Sequence, residues 1–349
     1  MKKFIYITLM MVFIFVLYGC GSDESEKIYE DTQIKMDTPM TIKAYGKNAE
    51  EAVKRAFEKI DEIERLTSVN METSDVSKIN SNAGVDYVKV DPQVFYIIKE
   101  AVRFSELSSG VFDISIGPVI KLWGIGTENA RIPSQQEIYD ALSLVGYKGI
   151  KLNETEQSVF LEKKGMLLDL GGIAKGYAAD CVVEILKEKG VNKAIINLGG
   201  SNVTVVGEKE KDTPWAIGLQ HPRKAEAGNY LAIIRESDKA ISTSGDYERY
   251  FIDNGKRYHH IFNPATGYPT MSGIISDTVV LDSKLIKYSA MAGDALSTVV
   301  FVLGPEEGIK FIEGIEGVEC VVATDDFKIF STPGIEGIIS SISEDFKND

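Results

Sequence analysis

Hydrophobic spacing divides this chain into a first half of mostly helical periodicity and a second half of short apolar or alternating runs. A strand is expected to open the folded region within TQIKMDTPMTIKAYG (residues 32–46). Asn48, with Glu51 three residues on, predicts a capped first helix in which Val53, Phe57, Ile60 and Ile63 share a face. The polar stretch TSVNMETSDVSKIN (67–80) follows neither period and reads as irregular. Asp91-Pro92 predicts the start of a second helix over QVFYIIKEAVRFSELS, which Gly110 ends. VFDISIGPVIKLWGIG (111–126) reads as loop-rich, and Ser134 with Glu137 predicts a third helix stopping before Gly146. MLLDL (166–170) has the unbroken apolar character of a buried strand, leading into a helix over AKGYAADCVVEILKEKG (174–190).

The second half predicts strands at AIINLGG, NVTVVG, WAIGLQ, YLAIIRE and ERYFIDNGKRYHHIF. A helix over GDALSTVVFVLG and a short one after Pro305 follow, and VECVVAT with FKIFST closes the chain as a hairpin. No internal repeat, low-complexity tract or clear linker interrupts this order. The expectation is one α+β catalytic unit, open to a two-lobed arrangement, over residues 33–340.

The first 20 residues have a different character. MKK precedes the apolar run FIYITLMMVFIFVLY, which is short for the ~30 Å hydrocarbon core of a bilayer and reads as a signal peptide (1–20). Its end, LYGC, resembles a bacterial lipobox, which makes Cys20 the expected lipidated residue. The protein is then expected on the extracytoplasmic face of the cell membrane, with residues 21–32 as a polar tether. The other reading is an uncleaved N-terminal anchor on the same side. Cys181 and Cys320 make neither a zinc pattern nor a disulfide framework and read as buried small hydrophobes. A net charge of −14 argues against a nucleic-acid partner but leaves room for a small anion held by local amides or a metal.

Three stretches carry candidate chemistry. In DLGGIAKGYAADC (169–181) a strand, two glycines and a helix start form the parts of an anion site, with Lys175 adding charge one turn in. The alternative is a turn that needs glycine for geometry, with Lys175 in solvent. In SAMAGDALST (289–298), Asp294, Ser297 and Thr298 fall on one helix face, an oxygen set suited to Mg²⁺, while the small residues permit close packing. Here Asp294 as a helix-start residue and Thr298 bonded back to its own helix is the competing reading. HHIFNPATGYP (259–269) brings two histidines to a turn, as a general base or phosphate contact, or as turn structure only.

These segments, with INLGG and VFDISIGPVIKLWGIG, occur in the order found in the ApbE family, and roughly residues 30–335 resemble it. That resemblance implies an α+β, T-fold-related core and Mg²⁺-dependent cleavage of FAD as substrate. FMN passes to a Ser or Thr hydroxyl of an acceptor protein, an exported redox subunit, and AMP leaves. It further implies Asp294, Thr298, Ser297 and the carbonyl of Gly172 as metal ligands. Asp169, Lys175, Val111, Phe112 and Asp113 are the implied flavin-nucleotide contacts, joined by Met36 and Phe262. Asp37 replaces the glycine of the family's Met-Gly-Thr, and Asn263 replaces the aspartate of its Asp-Pro. Asn70 falls where many members carry an aromatic ring, a loss of stacking worth about 1 kcal/mol. His260 is the candidate base that activates the incoming hydroxyl.

A transferase is therefore expected. Two other readings compete with it: an Mg²⁺-dependent FAD pyrophosphatase, which Asn70 keeps open, and a flavin-binding lipoprotein without turnover. No segment resembles the S/T-G-A-T acceptor motif, so covalent FMN on this chain itself is not expected.

Overall fold

The computed structural model describes residues 27–348 apart from 225 and 227. The expected signal peptide, Cys20 and the first part of the expected tether lie outside these residues. The remainder of the tether is a strand. β1 (Ile28–Lys35) pairs with β2 (Thr38–Tyr45) from Ile28 opposite Tyr45 to Lys35 opposite Thr38. Its positions alternate between exposed and half-buried, so no apolar run betrays it, and β2 supplies the partner that defines it. Met36 and Asp37 form the two-residue turn with φ of 48° and 60°, the left-handed pair such a hairpin requires.

The first half then runs through α1 (Ala49–Thr67), α2 (Asp75–Ser81), β3 (Val88–Lys89), α3 (Pro92–Leu107), α4 (Gly117–Trp123) and α5 (Gln135–Leu142). β4 (Ile150–Asn153), β5 (Ser158–Leu161) and α6 (Ala174–Glu188) follow. The second half contains β6 (Ala194–Leu198), β7 (Asn202–Val206), β8 (Trp215–Gln220), β9 (Tyr230–Glu236) and β10 (Lys239–Gly245). After the hairpin β11 (Tyr250–Asp253) and β12 (Lys256–His259) come β13 (Ile274–Asp282), α7 (Ser289–Leu303) and α8 (Pro305–Glu313). β14 (Val318–Thr324), β15 (Lys328–Ser331), β16 (Ile339–Ser340) and β17 (Lys347–Asn348) close the order. Among these elements, no helix is long and apolar enough to cross a membrane.

Nine strands form one sheet in the order β1-β2-β6-β7-β10-β13-β14-β15-β17, antiparallel except for the last pair. Strand alternation sorts its residues between two cores. Val206, Ala240, Val279, Leu281, Cys320 and Val322 face the helices, whereas Val203, Val205, Ile241, Val280 and Val321 face the small sheet β16-β9-β8. A third cluster around Trp123 joins α4, α5 and the β11–β12 hairpin. Cys181 and Cys320 are free and buried, as expected of them.

Several expectations are corrected. The irregular stretch 67–80 contains the start of α2, where Ser74 accepts from the Ser77 amide and Val76 and Ile79 are buried. The loop-rich stretch contains α4. MLLDL is extended and mostly buried but joins no ladder beyond one bridge at Leu167. The side chain of Asn80 takes the place of a strand neighbour, accepting from the Leu168 amide (2.6 Å) and donating to its carbonyl (3.0 Å). Asn48 does not cap α1 through its side chain, which donates to the Lys189 carbonyl at the end of α6. ERYFIDNGKRYHHIF is not one strand, because the chain reverses at Asn254 and Gly255, both left-handed, to pair β11 with β12. β10, a central strand, lacks an apolar signature, since its helix-facing positions include Ser242 and Ser244, and in β13 the polar run Ser276-Asp277-Thr278 splits two apolar pieces. The folded unit also runs past 340, since Phe346 is buried and β17 pairs with β15.

Candidate functional site

A cavity of about 390 Å³ opens where the start of α6 and the middle of α7 meet Ser201, just before β7, and the end of β10. Met36, Asn70, Val111, Phe112, Asp113, Asp169, Gly172, Lys175, His260, Phe262, Asp294, Ser297 and Thr298 all line it. The fold thus brings every candidate residue of the folded region to one place, from segments far apart in sequence.

The Gly171-Gly172 turn projects because its neighbours are held in the core: Leu170 and Ile173 are both buried. Asp169 accepts from the Gly171 amide at 2.8 Å, and burial pushes its carboxyl up while that amide and the Arg249 charge pull it down. The expected anion site at the start of α6 stays open only in part: the amides of Gly172 and Lys175 have no acceptor among the described residues, whereas three neighbouring amides do. The Ile173 and Ala174 amides both donate to the Leu170 carbonyl, and the Gly176 amide donates to Asp294 Oδ2 at 2.7 Å. The Gly176 amide would ordinarily bond back to the carbonyl four residues earlier. Because it turns to Asp294, the Gly172 carbonyl has no donor among the described residues. A Cβ placed on Gly172 would lie 3.8 Å from Thr298 Oγ1, so this open carbonyl belongs to a residue beside the α7 hydroxyl.

α7 reaches this position through its small residues. A Cβ at Gly293 would stand 2.5 Å from Ser242 Oγ, so only glycine lets the helix settle on β10. Asp294 is buried beneath the turn, and its Oδ1 accepts from Asn202 Nδ2 (2.9 Å) and Ser242 Oγ (3.3 Å). Asn202 and Ser242 stand side by side because β7 and β10 pair in that register. Ser297 and Thr298 donate to the Asp294 carbonyl at 3.1 and 3.2 Å, the bonding-back anticipated as an alternative, while their oxygens keep lone pairs. Ser297 also accepts from Ser244 Oγ at 3.0 Å. Burial pushes the Asp294 carboxyl up and the Lys175 ammonium down, and their mutual attraction opposes both shifts. Lys175 is half-buried and donates to Ser201 Oγ at 2.6 Å, so it does not stand in open solvent.

The two adjacent histidines divide structure from chemistry. His259 is buried with both ring nitrogens engaged, one at 2.8 Å from the Thr270 carbonyl and one accepting from the Ile261 amide. His260 lines the cavity, and its Nδ1 lies 3.3 Å from the Arg249 carbonyl. A carbonyl only accepts, so the proton is assigned to Nδ1 and Nε2 keeps its lone pair. Burial pushes the imidazole down to about 3, reinforced by His259 and the Arg249 charge, so it is neutral at pH 7.

The remaining candidates form walls. Phe112 is buried and packs over the Gly172 turn. Asp113 accepts from the Ser115 amide and hydroxyl and from the Tyr147 amide, so its carboxylate shapes the loop that carries Val111 and Phe112. Met36 enters from the β1–β2 turn, Phe262 from the Trp123 cluster, and Asn70 from the loop between α1 and α2. Sequence reasoning does not reach Asn202, Ser242, Ser244, Ser201 or Arg249. A polar residue at a helix-facing strand position is the available signal for the first three, but it is visible only once the sheet register is known.

The sequence model of the ApbE family matches residues 36–322. The chain is 38% identical over 298 residues to the FAD:protein FMN transferase of Klebsiella pneumoniae (strain 342), covering 85% of this chain and 90% of that protein. Among solved structures, the ApbE protein of Thermotoga maritima superposes with a TM-score of 0.82 at 32% identity, covering 90% of this chain and 100% of that one. The flavin transferase ApbE of Vibrio cholerae gives 0.78 at 26% identity, covering 89% and 99% of the two chains.

Proposed function

The chain belongs to the ApbE family, and from that premise we propose that it transfers FMN from FAD to a Ser or Thr hydroxyl of an acceptor protein, releasing AMP. The acceptor oxygen forms the new bond to the phosphorus of the FMN half as the bond to the AMP phosphate breaks. His260 is the group placed to receive the hydroxyl proton at Nε2, its other proton being held toward the Arg249 carbonyl, and the burial that keeps it neutral also makes it a weak base before the anionic substrate binds. Lys175 and Asp169 lie at the glycine turn for the nucleotide, between walls formed by Val111, Phe112, Met36 and Phe262.

The oxygen set fits Mg²⁺: one carboxylate (Asp294), two hydroxyls (Ser297, Thr298) and the Gly172 carbonyl, leaving positions for substrate phosphates. When bound, Mg²⁺ supplies neutralisation of pyrophosphate charge. The observation that carries this reading is the Gly176 amide turned to Asp294, which leaves the Gly172 carbonyl without a donor among the described residues, beside Thr298.

The test uses the chain from residue 21, FAD and Mg²⁺, with an acceptor domain bearing an S/T-G-A-T motif. AMP together with a fluorescent acceptor band supports transfer. AMP and free FMN without a labelled band would make the protein a pyrophosphatase, the second reading, favoured by Asn70 standing in the cavity wall without an aromatic ring. Bound FAD with no AMP would leave a carrier. Asp294→Ala is expected to abolish metal-dependent AMP release, and near-wild-type activity would sink the metal assignment.

We also place the protein on the extracytoplasmic face of the membrane through a lipid on Cys20, on the strength of LYGC after the apolar run. Cys20→Ala is expected to move it out of the membrane fraction and to lose fatty-acid labelling.

A further inference from the structure

α6 and α7 begin without side-chain caps of their own, since neither Ile173 before α6 nor Tyr288 before α7 makes a side-chain cap bond. A carboxylate from each helix serves the other instead. Asp294 of α7 accepts from the amide of Gly176, the third residue of α6, at 2.7 Å. Asp180 of α6 accepts from the amides of Ala290 (3.1 Å) and Met291 (2.8 Å), the second and third residues of α7. Asp180 is buried, both its oxygens accept, and it does not line the cavity.

We infer that Asp180 is a positioning residue for the cation site, fixing the start of α7 so that Asp294, Ser297 and Thr298 face the Gly171-Gly172 turn. This inference rests on the proposed metal-dependent reading of the cavity. Asp180 acts together with the seating of Gly293 on Ser242 and with Asn202 Nδ2, which donates to the Ala290 carbonyl at 3.3 Å. Tyr288, which precedes it, has a φ of 55°, and the Ala290 carbonyl lies so close to Gly176 that a Cβ there would stand 2.2 Å from its oxygen. The amides held by Asp180 lie one turn before Asp294, so releasing them lets the ligand-bearing turn shift as a unit. Asp180 itself touches neither substrate nor metal.

The test is calorimetric titration of Mg²⁺ into the FAD-bound chain from residue 21, comparing wild type, Asp180→Asn and Val182→Ala. Val182 is buried on the same helix, and its truncation lowers stability without touching the amides. Asp180→Asn is expected to raise the half-saturating Mg²⁺ concentration about tenfold or more, as loss of a supporting contact does at metal sites. Val182→Ala is expected to leave it unchanged at a comparable loss of melting temperature. Equal Mg²⁺ affinity in wild type and Asp180→Asn would overturn the inference, whereas absence of Mg²⁺ binding by wild type would overturn the underlying metal reading. Should Asp180→Asn not fold, hydrogen exchange on wild type decides. The Ala290 and Met291 amides are expected to be protected like the interior of α7 before Mg²⁺ is added, and free exchange there would overturn the inference.

Discussion

The backbone amide of Gly176 lies 2.7 Å from Oδ2 of Asp294, and a Cβ on Gly176 would stand 2.2 Å from the Ala290 carbonyl oxygen. One contact therefore joins the glycine turn to the acidic helix and admits no side chain. It also redirects the amide that would otherwise occupy the Gly172 carbonyl.

Gly176→Ala should consequently force α6 away from α7. The expected loss is about 1–3 kcal/mol, the range for overpacking a tight contact. AMP release should fall more than stability alone explains, because the Asp294 bond is lost as well. Thermal melts and AMP assays on the same preparation check this, and wild-type values in both would contradict the geometry.

Asn80 holds the extended segment ahead of the turn through two hydrogen bonds to Leu168. Asn80→Ala leaves both backbone groups of Leu168 without that partner, at an expected cost of about 1–3 kcal/mol. Since Asp169 and the glycine turn follow directly, the KM for FAD should rise as well. A stable variant with unchanged KM would show that the turn is positioned from elsewhere.

His260 is held at about 3 by burial, well below the ordinary imidazole value of about 6.5. The unfolded chain therefore binds this proton more readily than the folded one between those values. The stability His260 contributes is complete above about pH 6.5 and is lost as pH falls toward 3. Urea melts from pH 7 to pH 4 should show a shallower decline for His260→Gln than for wild type. Parallel declines would mean that His260 titrates normally.

Asp277 faces the helices from β13, directly across from Ser244, and both of its carboxylate oxygens are buried without a hydrogen-bond partner among the described residues. Burial pushes its carboxyl well above the ordinary range. Below about pH 4 both folded and unfolded chains hold the proton, and the stability associated with it is lost as pH rises from there. Asp277→Val is expected to stabilise by about 1–3 kcal/mol at neutral pH, with a smaller gain in acid. A variant less stable than wild type at pH 7 would point to an unseen partner for the carboxyl.

Local order is open to reading from the sequence because it depends on neighbours in the chain. The capping box at Ser134 and Glu137 and the Asp91-Pro92 helix start are each complete within a few residues. The candidate residues from Met36 to Thr298 likewise belong to short motifs, with the family resemblance linking them. Tertiary structure decides what those motifs share. β10 is hidden in the sequence because Ser242 and Ser244 occupy positions where a sheet usually presents apolar residues to its helices, and in β13 Asp277 breaks an otherwise apolar run at such a position. MLLDL resembles a strand because its burial is real, yet its neighbour is the Asn80 side chain from 88 residues away. The start of α6 resembles a bare anion site because a sequence does not show which acceptors its amides meet. Asp294, 118 residues beyond Gly176, takes one of them. Hydrogen bonds between segments this distant form only once the sheet register and the helix crossing are set, and short-range patterns carry no record of either.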